Sequence, residues 1–346
     1  MRIIVISFLF SAIVCISSIF IKDNSEPNHV IRGMYHWKTN LYLDENDISF
    51  LKRQKIEKLY IKIMDISWNT VYQAYPTTSL NIERDIKDYS FLDIVPVIFI
   101  TNETLLHTNK KDLDTLSKKI VLKTQRLCGS EFDKIKELQI DCDWTPKTKD
   151  LYFELLQKIK QLVTHKTLSV TLRLHQLKNK KQTGIPPADK VSLMLYNMGK
   201  LTNYNESNSI LNIEETKRYL SSSSYNLPMD FILPLFNWGV QFSNKQFDKI
   251  VYNMPKSELD TNKAFIKLPN GHYMLITDYY KDNYNNYFTY GDEVRIEEIT
   301  KQDLIELSNL CKSQATTHNF SVSFFEQNYY HKIDSTSYEE IYHTFN

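Results

Sequence analysis

The sequence predicts an α/β fold: a single (β/α)8 TIM barrel with a small β-rich insertion between strands seven and eight. The chain has 346 residues, which is long for an ordinary domain but normal for such a barrel with an insertion. Hydrophobic residues make up 42% of it, enough for a sizeable core. After about residue 30, short apolar runs alternate with polar or amphipathic segments, which is the pattern of repeated βα units.

Eight apolar runs have the length of β-strands, and eight parallel strands predict a closed barrel. We place them at residues 33–37, 58–66, 93–101, 137–143, 167–175, 190–196, 230–236 and 320–325. The helices are clearest at 112–127, 149–164 and 301–311, where apolar residues recur at helical spacing. Thr300 is positioned to cap the last of them. The link from 175 to 190 contains Gly184, Pro186 and Pro187, so we expect little room for a helix there.

The barrel is expected to span residues 31–330, and no repeat or low-complexity linker marks a second independent domain. A tyrosine-rich segment at about residues 240–298 separates strands seven and eight. Strand-like stretches at 272–280 and 287–296 predict that this segment forms an inserted β-rich subdomain.

An apolar run at residues 3–21 lies between Arg2 and Lys22, which predicts a signal peptide or N-terminal anchor at residues 1–22. Serines interrupt the run, so cleavage and retention both stay open. Cys15 is a candidate lipidation site, but Val14 before it is larger than the residue that bacterial lipoprotein signals normally carry there. We therefore expect an exported protein, in the cell envelope or outside the cell, with membrane anchoring through the N-terminus as one outcome.

The composition excludes several classes of function. The formal net charge is +1, so no basic field attracts nucleic acid, and we expect no nucleic-acid partner. The sequence contains no P-loop, dinucleotide-binding fingerprint or G-x-S-x-G elbow, and we expect no cofactor. Outside the N-terminal run it has three scattered cysteines and no compact set of metal ligands, so neither a disulfide framework nor a metal site is predicted.

The most informative stretch is residues 138–145, LQIDCDWT, in which an apolar strand ends in two carboxylates. Side chains alternate along a strand, so Asp141 and Asp143 share one face and Cys142 lies on the other. Two like charges this close push their pKa values apart, which is a basis for proton-transfer chemistry. The structural alternative is a carboxylate pair that holds a lysine or arginine.

All four tryptophans lie at or just after a predicted strand end: Trp37, Trp68, Trp144 and Trp238. Active sites of such barrels lie at the C-terminal ends of the strands, and sugar rings stack on aromatic faces. The tryptophans therefore predict a glycan-binding surface, and Trp37, Trp144 and Trp238 are expected to line one cleft. The alternative for each ring is that it simply plugs the barrel mouth.

Polar side chains gather at the same strand ends. Each alone is more often a hydrogen-bonded structural group, so their convergence is what indicates a site. They are His36, Asp65, Glu103, Asp141, Asp143, Arg173, His175, Tyr196, Asn197, Asn237 and Glu326. We expect Arg173, His175, Asn197 and Asn237 to bind an oligosaccharide or polysaccharide together with the tryptophans.

Three segments, in the right order, resemble the chitinase-type barrels of glycoside hydrolase family 18 and their uncharacterised bacterial relatives that lack the catalytic glutamate. LQIDCDW on strand four is similar to the end of the family's D-x-x-D-x-D-x-E motif, VSLMLYNMG on strand six to M-x-Y-D, and LPLFNWG on strand seven to G-x-P-x-Y-G. The resemblance covers most of residues 31–330. An insertion between strands seven and eight is also similar to that family.

The resemblance implies a role for three of the residues above. Asp141 would support its neighbour Asp143, and Asp143 would orient the acetamido group of the substrate. Tyr196 would hydrogen-bond that group while it attacks the anomeric carbon. These residues would form the catalytic set together with a proton donor.

The motifs also differ from the family's pattern. Leu138 stands at the motif's first aspartate, Asn197 at the strand-six aspartate and Thr145 at the catalytic acid. A threonine hydroxyl is far too weak an acid to protonate a leaving glycosidic oxygen. The family mechanism is therefore not expected to run unchanged.

Two functional hypotheses follow. In the first, a chitinase-like barrel binds a glycan and hydrolyses it with a displaced acid, Glu103 or Glu326, that reaches across the mouth. In the second, the chain is a catalytically inactive glycan-binding or interaction protein. A purely structural envelope protein would leave the tryptophan placement unexplained.

Overall fold

The computed structural model describes residues 28–82, 89–221, 225–283 and 285–345. The predicted signal peptide or anchor at residues 1–22, with Cys15, lies outside the described residues. Within the described ranges, no helix combines the length and the apolar character that a membrane crossing requires.

Eight parallel strands close into a barrel, as the sequence predicts. The strands, numbered in chain order, are β1 (His29–His36), β2 (Asn40–Leu41), β3 (Lys58–Asn69), β4 (Gln73–Ser79), β5 (Asn81–Ile82), β6 (Asp93–Ile100), β7 (Glu137–Asp141), β8 (Thr167–Arg173), β9 (Lys190–Met194), β10 (Met229–Pro234), β11 (Trp238–Ser243), β12 (Gln246–Val251), β13 (Phe265–Lys267), β14 (Tyr273–Leu275), β15 (Tyr279–Lys281), β16 (Tyr287–Thr289), β17 (Glu293–Glu297) and β18 (Asn319–Phe325). The barrel order is β1, β3, β6, β7, β8, β9, β10, β18, and β18 pairs back onto β1. The predicted (β/α)8 barrel is confirmed.

The other strands lie outside the barrel wall. β4 pairs antiparallel with the upper part of β3, and a register shift interrupts their ladder. Between β10 and β18, an antiparallel sheet has the order β12, β11, β17, β14, β13, and β15 and β16 form a separate hairpin. Phe265, Tyr273, Phe288 and Val294 are buried in a small core of this sheet and hairpin.

The helices cover the outside of the barrel and link its strands. They are α1 (Glu45–Arg53), α2 (Asn102–His107), α3 (Leu113–Cys128), α4 (Lys149–Leu162), α5 (Leu174–Lys178), α6 (Lys180–Thr183), α7 (Ile213–Leu220), α8 (Lys256–Thr261), α9 (Lys301–Lys312) and α10 (Ser335–His343). Thr300 caps α9 as predicted: its hydroxyl accepts from the backbone N–H of Asp303 at 3.1 Å, and the Asp303 carboxylate accepts from the Thr300 N–H at 2.9 Å.

The link between β8 and β9 differs from the expectation, because it contains the two short helices α5 and α6. The Gln176 side chain accepts the backbone N–H of Arg173 at 2.8 Å, which starts α5 directly at the strand end. Gly184, at a φ of +75°, ends α6 before the two prolines. Two single turns therefore fit where one long helix does not.

Four charged side chains meet inside the base of the barrel. Lys190 Nζ lies 2.6 Å from Asp230 Oδ2 and 3.0 Å from Glu137 Oε2, and Lys58 Nζ lies 2.8 Å from the same Glu137 oxygen. The second oxygen of Glu137 accepts from the Ser169 hydroxyl at 2.7 Å. This base cluster of Lys58, Glu137, Lys190 and Asp230 therefore carries no net charge, and it joins β3, β7, β9 and β10.

A polar and aromatic layer lies above the base cluster. The rings of Tyr35 and Tyr60 stack with centroids 4.4 Å apart, and the Tyr35 hydroxyl donates to Gln139 Oε1 at 2.8 Å. Gln139 in turn donates to the Ser192 hydroxyl at 3.0 Å. A Cβ on Gly33 would lie 2.2 Å from Ser323 Oγ, so β1 and β18 approach this closely only with glycine there.

Replacing Lys190 should destabilise the barrel strongly. Lys190→Met leaves Asp230 without its ammonium partner inside the barrel, and loss of one member of a buried ion pair costs about 3–5 kcal/mol. Lys160→Met is the matched control, because Lys160 pairs with Asp189 at the surface and exposed pairs contribute about 0–1 kcal/mol. Urea unfolding measures both variants, and equal losses would contradict the structural role of the base cluster.

Candidate functional site

Side chains alternate along β7 from Glu137 in the base cluster onward, and this alternation places two carboxylates at the barrel mouth. Glu137 points inward, and so do Gln139, Asp141 and Asp143, whereas Cys142 is buried on the opposite side near Tyr152 of α4. Asp141 and Asp143 meet the inward-facing side chains of the neighbouring strand β8. The two aspartates thus share one face and lie in the mouth.

The Asp143 carboxylate forms an ion pair with Arg173. Arg173 Nε lies 2.6 Å from Asp143 Oδ1, and Arg173 Nη2 lies 2.9 Å from Oδ2, so the contact is bidentate. The Asp143 side chain is 43% exposed and that of Arg173 21%, which places the pair on the wall of the mouth. Burial opposes the charge of Arg173, but the hydrogen bond and the negative charge of Asp143, together with nearby Tyr196 and Asp141, raise the arginine pKa overall.

Asp141 lies deeper than Asp143 and is almost fully buried. The Thr171 hydroxyl donates to Asp141 Oδ1 at 2.5 Å. Burial raises the pKa of Asp141 from 3.8 to about 6, and the Asp143 charge adds to this, while the Thr171 bond and Arg173 oppose it. Asp141 is therefore protonated in mildly acidic solution and charged at neutral pH.

Tyr196 is the point at which the predicted polar residues meet. Its hydroxyl donates to Met194 Sδ at 3.1 Å, and its ring stacks on Phe325 with centroids 5.1 Å apart. Burial raises its pKa well above the usual value, Arg173 lowers it, and the carboxylates Asp141, Asp143 and Glu326 raise it further. These charged groups are therefore all close enough to act on one buried hydroxyl.

Two of the four tryptophans lie at this mouth. Trp37 is half-buried, 5.5 Å from Phe325 between ring centroids, and Lys62 Nζ lies 5.3 Å from the centre of its ring. Trp238 is also half-buried, 5.0 Å from Phe236, and its indole N–H donates to Glu297 Oε2 at 2.9 Å. An aromatic floor therefore runs between Trp37 and Trp238.

The prediction that Trp144 lines the cleft is wrong. Its side chain is 1% exposed, stacks on Tyr152 of α4 at 5.2 Å and donates its indole N–H to the Thr183 carbonyl at 2.9 Å. Trp144 follows Asp143 by one residue, so alternation sends its ring outward to the helices. It has no face left for a ligand.

Trp68 also lies away from the mouth. Its ring stacks on His107 of α2 at 4.5 Å, and it lines a groove of about 390 Å³ between the β3–β4 hairpin and α3. Register shifts within β3, between Lys62 and Met64 and between Asp65 and Ile66, change which of its residues face inward. The sequence does not predict these shifts.

Glu326 follows β18 and borders a second space beside Trp37. Asn328 donates to its carboxylate, and burial raises its pKa. Glu326, Asn237 and Trp37 line a cavity of about 430 Å³ that extends from the mouth toward the loop after β12. The structure therefore places Asn237 and Glu326 beside each other, next to the aromatic floor.

Three predicted polar residues at the strand ends contribute less to the mouth. His36 is buried, with Nδ1 3.2 Å from Gln327 Oε1 and Nε2 3.0 Å from the Asn40 carbonyl, so it is a structural group outside the barrel. Glu103 is exposed in the first turn of α2. Asn197, at a φ of +56°, is also exposed.

His175 and Asp65 lie at the edge of the site. His175 is exposed in α5; desolvation and the Arg173 charge lower its pKa, while Asp143 raises it. Asp65 Oδ1 lies 3.2 Å from Lys62 Nζ. Lys62 was not among the predicted site residues, although its even spacing from Lys58 and Tyr60 along β3 signals an inward position.

The acid position of the resembled family is occupied by a hydroxyl that has a local partner. Thr145 Oγ1 lies 3.3 Å from Thr148 Oγ1, and the Thr145 backbone N–H donates to the same Thr148 oxygen at 2.9 Å. Within the described ranges, no three His, Cys, Asp or Glu side chains are grouped closely enough to hold a metal ion.

Solved structures with this architecture include two spore cortex-lytic enzymes and a chitinase. SleL of Bacillus megaterium QM B1551 has a TM-score of 0.58 and 14% identity, over 93% of this chain and 75% of that one. SleL of Bacillus cereus has a TM-score of 0.57 and 13% identity, over 93% and 76%. The family 18 chitinase ChiB, from the chitin utilization locus of Flavobacterium johnsoniae, has 0.53 and 13%, over 92% and 94%.

The chain has the chitinase-type barrel fold. At these identities the likeness concerns the fold, and it confirms the fold that the strand motifs predict. No protein-family model matches the sequence, and no curated protein matches it either. The function of the barrel mouth therefore depends on the residues that this chain places there.

Asp141→Asn should remove a pH-dependent loss of stability. The folded state holds the pKa of Asp141 at about 6, against 3.8 for a free aspartate. Between these values the folded state binds more protons than the unfolded state, so wild-type stability falls as pH rises from about 4 to 6. Since asparagine does not ionise, the variant should gain about 2–3 kcal/mol relative to wild type between pH 4 and pH 7.

Urea unfolding at the two pH values measures this difference, with Asp150→Asn as the exposed control in α4. If the free energies of unfolding of wild type and Asp141→Asn differ by the same amount at both pH values, this would contradict a raised pKa for Asp141.

Proposed function

We propose that this protein is an exported, chitinase-like barrel that binds a glycan in its mouth without the hydrolytic mechanism of the family it resembles. The observation that carries the proposal is the bidentate ion pair of Asp143 with Arg173, beside a threonine in the position of the acid. The aromatic floor remains available to a sugar, while the polar groups that would drive the reaction are bound to one another.

Glycan binding is supported by the shape and chemistry of the mouth. Trp37 and Trp238 are half-buried, so part of each ring faces solvent and offers an apolar face to a pyranose. Asn237 and the Asp143–Arg173 pair supply hydrogen-bonding groups at the rim. An aromatic surface with a few placed polar groups is the usual composition of small-ligand sites. The chitinase and the cortex-lytic enzymes with this fold are consistent with such a ligand.

The absence of family-type hydrolysis is supported by two contacts. Both carboxylate oxygens of Asp143 accept from Arg173, so an acetamido N–H would have to share this carboxylate with the guanidinium. The Thr145 hydroxyl pairs with Thr148 and does not ionise near neutral pH. A leaving glycosidic oxygen therefore receives no proton from this position.

The second candidate is hydrolysis with Glu326 as a displaced acid. Glu326 is largely buried beside Trp37, and burial raises its pKa, so it stays protonated to a higher pH than an exposed glutamate. A raised pKa is what a general acid requires. Glu103 receives no such support, because it is exposed on α2.

Trp37→Ala should weaken glycan binding. Loss of a stacking ring at the centre of a binding surface costs about 1–3 kcal/mol. Isothermal titration with the hexamer of N-acetylglucosamine measures the change, and circular dichroism verifies the fold. Trp68→Ala is the matched control, because it removes the same side chain outside the mouth. Equal affinity of wild type and Trp37→Ala would remove this ring from the binding surface.

Release of a fluorogenic leaving group from N-acetylglucosamine oligomers between pH 4 and 8 separates the two candidates. We expect no release by wild type, and only a trace by Thr145→Glu, which returns a carboxylic acid to the family's position. Under the second candidate, wild type is active, activity falls as pH rises through the raised pKa of Glu326, and Glu326→Gln abolishes it. Wild-type turnover would therefore contradict the binding proposal.

A further inference from the structure

The cavity beside Trp37 has features that the binding of a neutral sugar does not explain. Its volume of about 430 Å³ is within the range of natural small-ligand sites. Trp37, Tyr252 and Tyr329 provide its aromatic walls, and Asn237 borders it on the side of the mouth. We call it the side cavity.

Two lysines at the side cavity have no anionic partner. Lys38 and Lys332 both line it, both are exposed, and neither forms an ion pair with any carboxylate of the described residues. The mouth itself differs, since Arg173 is paired with Asp143. Glu326 is the sole carboxylate in the lining, so the two lysines leave a net charge of +1 there without counting His331.

The wall that carries these groups is built from ordered segments. Trp37 and Lys38 follow the end of β1 at His36, and both line the side cavity. Lys332 ends the 3-10 turn Gln327–Lys332 after β18. On the opposite side, Asn286 Nδ2 donates to the Tyr252 carbonyl at 2.9 Å and thereby ties the loop after β12 to the β15–β16 hairpin.

The single carboxylate of the side cavity is already engaged. Asn328 donates to Glu326, and burial raises the pKa of the glutamate despite the nearby Lys38 charge. Even with Glu326 counted as charged, the two lysines outnumber it in the lining. The two free ammonium groups decide which charge the side cavity favours.

We propose that the side cavity binds a carboxylate-bearing sugar unit of the glycan, with the sugar ring against Trp37 and the carboxylate between Lys38 and Lys332. The inference rests on the proposed glycan binding at the mouth and adds the substrate class: an acidic glycan rather than neutral chitin. A neutral polymer would have to cover the two ammonium groups without pairing them, which costs binding energy.

Three tetrasaccharides of the same backbone test the substrate class. The first alternates N-acetylglucosamine with N-acetylmuramic acid and carries no peptide, so each carboxylate belongs to the sugar. The second is the same molecule with its carboxyls converted to amides, and the third is the N-acetylglucosamine tetramer. Isothermal titration at low and at high salt gives the affinity of the full exported chain for each.

We expect wild type to bind the acidic tetrasaccharide about 3- to 30-fold more tightly than its amide, the range for two partly exposed ion pairs, and high salt to remove most of the difference. The double variant Lys38→Gln/Lys332→Gln should bind the acid and the amide equally. The control Lys118→Gln/Lys119→Gln, on the outer surface of α3, carries the same charge change and should keep the preference.

Equal binding of the acid and the amide by wild type would overturn the acidic-sugar inference and leave glycan binding at the mouth intact. A preference that survives the loss of Lys38 and Lys332 would also overturn it. Binding of none of the three ligands would overturn the proposed function and the inference together, so the two failures are distinguishable.

Discussion

The base cluster of Lys58, Glu137, Lys190 and Asp230 is the interaction on which the site depends. Four charges inside a barrel are tolerated only when they pair, so they fix which side chains of β3, β7, β9 and β10 point inward. Alternation then determines the later positions on β7, β9 and β10, whereas register shifts interrupt it in β3. A slip of one residue in β7 would bring Cys142 into the mouth and send both aspartates to the helices. The register at the base of the barrel is thus what positions the carboxylates at the mouth.

In the mouth, as in the base cluster, a carboxylate is stabilised by a cationic partner, but within the described residues only Asp143 of the two aspartates has one. Asp143 pairs with Arg173, whereas burial raises the pKa of the deeper Asp141 to about 6 despite the hydrogen bond from Thr171. Asp141 therefore changes its charge within the mildly acidic range. The ion pair fixes the orientation of the Asp143 carboxylate on the wall and leaves it shared with the Arg173 guanidinium. The aromatic floor contains neither residue of this pair, and the proposal of glycan binding without hydrolysis rests on that separation.

Local sequence patterns were sufficient for the barrel and for the shared face of Asp141 and Asp143, because apolar runs and alternation are local properties of a strand. The same alternation, applied one residue further, excludes Trp144 from the cleft. The position of Trp68 could not be predicted, because it depends on register shifts in β3 that only strand pairing creates. The alternative that the carboxylates hold a lysine or arginine applies to Asp143, but the sequence could not identify Arg173 as the partner, since that requires the register of β8 against β7. Long-range pairing thus determines the details of the site on which the functional conclusion rests.

A crystal structure of the protein soaked with the N-acetylglucosamine hexamer tests the central claim most directly. The account predicts an uncleaved oligosaccharide whose rings lie on Trp37 and Trp238, with both hydrogen bonds between Asp143 and Arg173 retained. A shortened product in the mouth, with Arg173 displaced and the Asp143 carboxylate on an acetamido group, would contradict it.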